Sequence, residues 1–145
     1  LAADAAFREM QAACPIPVLV DRMCTSAEDA ARFIAVGARS LSTKPGRIGF
    51  SEAQRIARLA APGGVKVALG LYAESALGTL VNAQYAASIP PEQDLVAPEQ
   101  TFFLEMSEQI LHEPAVIRDG RLAFRGDPAV ANWIDWARVK RFALG

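Results

Sequence analysis

A short β-branched run, then a capping residue, then an amphipathic stretch recurs along residues 15–88. That order constrains the fold more than any single motif, because strands joined through helices cross over with a right hand and lie parallel in one sheet. After a helix-like stretch over residues 1–12, PVLVD has the branched composition of a strand covered on both faces. TSAEDAARFIAVG follows, with a capping box expected from Thr25 to Glu28, an apolar stripe through Ala30, Phe33 and Ile34, and Gly37 as the C-cap. ARSLSTK supplies a second strand. Ser51 with Gln54 reads as a second capping box, ahead of a helix lined by Ala53, Ile56, Leu59 and Ala60. Gly63 and Gly64 turn the chain into VKVALG, where Lys66 has to lie near an end or an edge. ESALGTLVNAQYAAS is a third helix and DLVA one further short strand. Parallel strands should therefore end near Asp21, Lys44, Gly70 and Leu95.

The pattern changes after residue 100. TFFLEMSEQIL is mixed, VIRDGRLAF carries the Asp119-Gly120 signature of a β-hairpin, and WIDWARVKRFAL reads as a short amphipathic helix. With 145 residues and 52% hydrophobic composition the chain can bury a core, and one domain is the expectation. A net charge of -1 provides no field that would attract nucleic acid or an anionic membrane. The weakly charged stretch from Ser75 to Pro91 contains Asn82 and Gln84 and reads as a buried helix, not a membrane span. Cys14 and Cys24 lack metal-ligand spacing and disulfide density, which fits a reducing, cytoplasmic setting. A small-molecule site or a protein partner is what remains.

In parallel sheets ligands collect at the carboxyl ends of the strands, where loops and helix N-termini meet. That rule selects Asp21, Lys44 and Glu74, with Glu99 after the fourth, weaker strand. Asp21 is either an oxygen ligand for a hard divalent cation or a loop and capping aspartate, and one carboxylate cannot make a magnesium site alone. Lys44 at a strand end is a base if burial dominates, an electrostatic clamp if neighbouring carboxylates do, or a solvated loop lysine. Pro45 stiffens the turn behind it. Glu74 serves either as a cap for the helix starting at Ser75 or Ala76 or as a direct catalytic group. Glu99 sits in PEQ, which is also good surface-loop sequence.

Other features carry less. His112, the only histidine, has no second imidazole to support a metal site and belongs at a core edge or on the surface. Phe102, Phe103, Trp133 and Trp136 are expected to pack, not to hold a cofactor, and the RGD at 125–127 has no more weight than a chance tripeptide. A phosphate loop with a following Lys-Ser or Lys-Thr, a dinucleotide fingerprint and a G-x-S-x-G elbow are all missing from the sequence.

Taken in order, IPVLVDRMCTSAEDAARFIAVGA, STKPGRIGFSEAQRIARLA and VALGLYAESALGTL resemble the carboxyl-terminal half of the mandelate racemase and muconate lactonizing enzyme group of the enolase superfamily, and DGRLAF resembles its closing stretch. The resemblance implies an α/β fold that is part of a (β/α)8 TIM barrel. Residues 1–127 would supply barrel strands five to eight with their helices and the hairpin, and residues 128–145 a return segment. The capping domain and the first half of the barrel would lie outside the chain, to be supplied by a longer protein or a partner chain, and a homo-oligomer is expected.

The resemblance further implies that Asp21 is a ligand for Mg2+ in the complete enzyme, and that Lys44 is the acid/base lysine after the sixth strand. Glu99 would be the carboxylate beside the eighth strand, and Glu74 belongs to a recurrent Leu-Glu-Ser-like segment with catalytic potential. The implied chemistry is removal of the proton next to a small substrate's carboxylate through an enediolate, of muconate-lactonizing type. A dehydratase of the same family or a non-catalytic barrel remnant are the alternatives. Arg22 stands where the family usually has glutamate, Phe50 where it has a second glycine, and Tyr72-Ala73 where it has Met-Leu.

Overall fold

The computed structural model describes residues 2–123 and 127–143. Two compact units emerge from it, Leu1–Tyr72 with Ser88–Glu99, and Ala73–Ala87 with Gln100–Gly145.

The first unit runs α1 (Ala2–Ala13), β1 (Leu19–Val20), α2 (Ala27–Ala35), β2 (Ser40–Thr43), α3 (Pro45–Ile48), α4 (Phe50–Ala60) and β3 (Lys66–Leu69). Its strands are parallel in the order β1-β2-β3, with Val20 opposite Leu41 and Leu41 opposite Val67. They end at Val20, Thr43 and Leu69, next to Asp21, Lys44 and Gly70, as the strand-cap-helix recurrence predicts. DLVA is shorter than the expected strand. It is one parallel bridge between Val67 and Asp94, in which Val67 N–H donates to the Gln93 carbonyl and Leu95 N–H to that of Val67. Pro90 and Pro91 before it and Pro98 after it bring no N–H to a ladder, which confines pairing to the residues between.

Side-chain alternation explains which residues leave the sheet for the core. Leu41 and Val67 are fully buried with Ala30, Phe33 and Ile56, and Phe7 meets Phe33 edge-on at 5.3 Å between ring centroids. Burying each large aliphatic side chain contributes roughly 1.5–3 kcal/mol. Polar anchors fix the connections around this core. Gln11 accepts from Val18 N–H and donates to the Ile16 carbonyl, and Arg39 donates to the carbonyls of Cys14 and Ile16. Gln93 donates to the Ala57 carbonyl, while Lys66, the first residue of β3, donates to that of Glu92.

Both capping boxes differ from expectation. The α2 cap is Ser26, which accepts from Asp29 N–H, while the Asp29 carboxylate receives the Thr25 N–H and hydroxyl, so the box lies one residue beyond Thr25–Glu28. Ser51 is inside the first turn of α4, whose N-cap is Gly49 at φ 83°. α3 ends on that glycine and α4 starts from it, so the left-handed backbone at Gly49 replaces the side-chain cap. Gly37 does follow α2 with φ 99°, and the next N–H, of Ala38, returns to the Phe33 carbonyl.

The second unit contains α5 (Ala76–Ala87), the hairpin β4 (Ile117–Arg118) and β5 (Arg121–Leu122), and α6 (Trp136–Phe142). Asp119 and Gly120 both have positive φ, 51° and 71°, which is what a two-residue hairpin turn demands. Asp135 caps α6 by accepting from Ala137 and Arg138 N–H. Ala76, Leu80, Phe103, Leu111 and Trp133 form the core. Of the aromatics expected to pack, Phe103 and Trp133 do, whereas Phe102 and Trp136 are exposed. His112 is exposed and its N–H donates to the Trp133 carbonyl. Phe124 of the hairpin run, Arg125 and Gly126 of the RGD and Leu144 of the terminal run lie outside the described residues. No helix among the described residues is long and apolar enough to cross a membrane.

Candidate active site

Three parallel strand ends build the site. Extending the register by one residue sets Asp21 beside Ser42 and Lys44 beside Gly70, and the two-residue period puts Leu19, Asp21, Ser42, Lys44, Ala68 and Gly70 on the sheet face opposite Leu41 and Val67. That face lines a cavity of about 380 Å³, to which Val96 and Glu99 also contribute. Its size suits a small molecule.

Lys44 is presented by local backbone chemistry. The residue before a proline is pushed out of the helical region, and Lys44 at φ -130°, ψ 86° remains extended at the tip of β2. Its carbonyl accepts from Arg47 and Ile48 N–H as α3 begins at Pro45, which fixes the main chain behind the side chain. The ammonium reaches back along the sheet face to Asp21, with Nζ 2.8 Å from Oδ1. The Lys44 side chain is 15% exposed and that of Asp21 43%. Lys44 beside it holds the Asp21 carboxyl below the usual carboxylate range; burial opposes this, and the Ser42 hydroxyl and Arg47 guanidinium reinforce it. Arg47 is itself tied down by a bond to the Arg22 carbonyl at 2.8 Å.

Asp21, Lys44 and Glu99 thus share one cavity. Arg22 is exposed and does not line it, so the charge reversal next to Asp21 is directed to solvent. Behind the site, burial pushes the Cys24 thiol up to about 11, aided by Asp29, so this cysteine is an inert core residue.

Glu74 stands in the second unit. It is buried and accepts from Asn82 Nδ2 at 3.1 Å, and the same Asn82 nitrogen donates to Gln100 Oε1 at 3.0 Å. At the N-terminus of α5, Ala76 N–H donates to Gln109 Oε1 and Gly78 N–H to Ser75 Oγ.

Sequence reasoning missed Ser42 and Gly70. Both were findable, Ser42 as the residue two before Lys44 on the same face, Gly70 as the last residue of VKVALG once the register is known.

Magnesium places a stricter demand on the donors. Asp21 would offer one oxygen donor, with an ammonium against it, and among the described residues no group of three His, Cys, Asp or Glu side chains is arranged to hold a metal ion. These residues do not fit the ion by themselves.

Comparison with known proteins is consistent with the geometry. A family model for the enolase C-terminal domain-like fold matches residues 1–129. The chain is 32% identical to chloromuconate cycloisomerase from Cupriavidus pinatubonensis over 87% of this chain and 34% of that protein. It is 35% identical to a hydrophobic dipeptide epimerase from Citrifermentans bemidjiense over 72% of this chain and 28% of that one. Muconate lactonizing enzyme from Pseudomonas putida superposes with a TM-score of 0.85 at 26% identity, covering 99% of this chain and 40% of that structure. The chain spans about a third of the length of the curated relatives it matches. With its three parallel strand and helix pairs, this chain belongs to the mandelate racemase and muconate lactonizing enzyme family of the enolase superfamily, as the carboxyl-terminal part of the (β/α)8 barrel.

Proposed function

We propose that the protein carrying this chain is an isomerase of the muconate-cycloisomerase kind, in which Lys44 transfers the proton on the carbon next to a substrate carboxylate. One observation carries this reading: Lys44 Nζ, ion-paired to Asp21, faces a cavity of about 380 Å³ at the strand ends that Ser42 and Glu99 also line. As an ammonium it stabilises the negative charge that spreads onto the carboxylate oxygens when the neighbouring C–H bond breaks; as an amine it accepts that proton. Asp21 holds the nitrogen in place, and Glu99 offers a second carboxylate for proton transfer at the far rim. In this reading Glu74 has a structural part, given its burial against Asn82. Any Mg2+ would draw its remaining oxygen ligands from outside these residues.

The test is solvent deuterium exchange at the carbon beside the carboxylate, measured on the full-length protein with muconolactone-type and dipeptide substrates. Lys44→Ala should lower exchange by on the order of 10² to 10⁴. Undiminished exchange in that variant would remove Lys44 as the proton-transfer group.

A further inference from the structure

We propose that Gly70 is a positioning residue for Lys44, a glycine kept for space and not for backbone conformation. Four glycines of the chain, Gly37, Gly49, Gly64 and Gly120, have positive φ, and a Cβ on any of them would meet nothing within 4 Å. Gly70 is the opposite case. It is not among the positive-φ glycines, and its backbone is that of a strand end, with the N–H donating to the Thr43 carbonyl at 2.8 Å. A Cβ placed on it would lie 2.5 Å from Lys44 Nζ, 2.7 Å from Ser42 Oγ and 3.1 Å from Lys44 Cγ. The volume a methyl group would take at residue 70 is the volume the lysine ammonium uses on its way to Asp21.

What would move is equally clear. The three nearest atoms all belong to side chains, and the closest is the tip of a flexible one. The main chain just past β3 therefore tolerates alanine at 70, and the Lys44 ammonium gives way together with the Ser42 hydroxyl. Lys44 would swing off the Ser42 and Gly70 surface, lose its 2.8 Å contact with Asp21 and enter the cavity at a different height. Displacement of a reacting group by about 1 Å can cost roughly 10²-fold in rate. Gly70 acts through Lys44 and touches no substrate in this role.

The consequence for activity rests on the proposed role of Lys44, while the positional claim does not, and the two are separated by measuring both. In the full-length protein, reductive methylation followed by peptide mass spectrometry reports the accessibility of Lys44, with the exposed Lys140 as internal reference. Gly70→Ala should raise labelling of Lys44 several-fold over that of the parent while the melting temperature holds. Turnover should fall about 10²-fold with KM little changed, and adding Gly70→Ala to Lys44→Ala should produce no further loss, since interacting residues are non-additive. Unchanged Lys44 labelling in Gly70→Ala would overturn the proposal. So would an equal loss of turnover from Gly70→Ala in the presence and absence of Lys44. If labelling rises but neither variant slows exchange, the room-making role of Gly70 stands and the proton-transfer role of Lys44 falls.

Discussion

Two polar clusters in this chain use the same chemistry, a carboxylate against a nitrogen donor, and are held in opposite ways. In the first unit Asp21 and Lys44 meet at 2.8 Å on an open face, with the carboxylate side chain 43% exposed. In the second, Glu74, Asn82 and Gln100 are 7%, 1% and 7% exposed and bonded to one another. Each cluster has a glycine beside it. Gly70 makes room for the far end of Lys44, whereas a Cβ at Gly78 would lie 3.0 Å from Cβ and 3.2 Å from Cγ of Glu74, atoms close to the backbone that cannot swing away. The contrast separates an ion pair that lines a cavity from a buried carboxylate bonded within the fold. Exposure of the carboxylate distinguishes them. The Asp21 side chain is 43% exposed although Lys44 is only 15% exposed. Such a partly exposed ion pair adds less to stability than a sequestered hydrogen-bond network.

The largest effect that can break this comparison is on rate. Lys44→Met should lower isotope exchange by two to four orders of magnitude, yet shift the urea midpoint little, because the Asp21 side chain is 43% exposed and water can solvate its charge once the ammonium is gone. A stability loss of several kcal/mol, read by chemical denaturation, would make the pair structural after all. Next comes Asn82→Ala, which leaves two buried acceptors without their shared donor and should cost about 1–3 kcal/mol by the same assay. Exchange per folded molecule should persist.

A smaller effect sharpens the first unit's own economy of charge. Asp29→Ala removes the group that receives the Thr25 N–H and hydroxyl and accompanies the Ser26 cap, and should cost about 1 kcal/mol. Those bonds, the Thr25 hydroxyl foremost, hold the Asp29 carboxyl below its usual range against a burial term that raises it. A depressed folded-state carboxyl stabilises the fold above its unfolded value and loses that contribution as pH falls through the lowered one. The cost of Asp29→Ala should therefore be full at neutral pH and start to shrink only below about pH 4, falling as pH drops through the lowered folded-state value, in denaturation series at stepped pH. The smallest effect is at Cys24, whose thiol lies near 11 and is 2% exposed. It should resist alkylation in the native protein while Cys14, half-buried, reacts first.

Much of the first unit was legible because its signals are local. PVLVD, ARSLSTK and VKVALG each end one residue past the strand, and that placement alone nominated Asp21 and Lys44. The caps misled by a single residue at α2 because Thr25 and Ser26 are both competent caps, and Glu28 and Asp29 both competent partners. Which pair wins depends on α4, since Glu52 Oε1 accepts the Ala27 N–H at 2.6 Å and completes the first turn of α2 from a distant part of the chain. The surroundings of Glu74 were hidden for a related reason: Gln109 takes the Ala76 N–H, and no local pattern records a bond spanning 33 residues. Gly70 was invisible as a functional position because a glycine ending a strand says nothing about the side chain lying across it.

The most direct measurement sets Lys44→Ala and Asn82→Ala side by side in the full-length protein, recording deuterium exchange per folded molecule and the denaturation midpoint of each. The expected result is crossed: Lys44→Ala loses on the order of 10² to 10⁴ in exchange and keeps its midpoint, and Asn82→Ala loses stability by about 1–3 kcal/mol and keeps its exchange rate. Parallel behaviour of the two variants, or exchange that survives without Lys44, would contradict the assignment of the Asp21 and Lys44 pair as the working part of this chain.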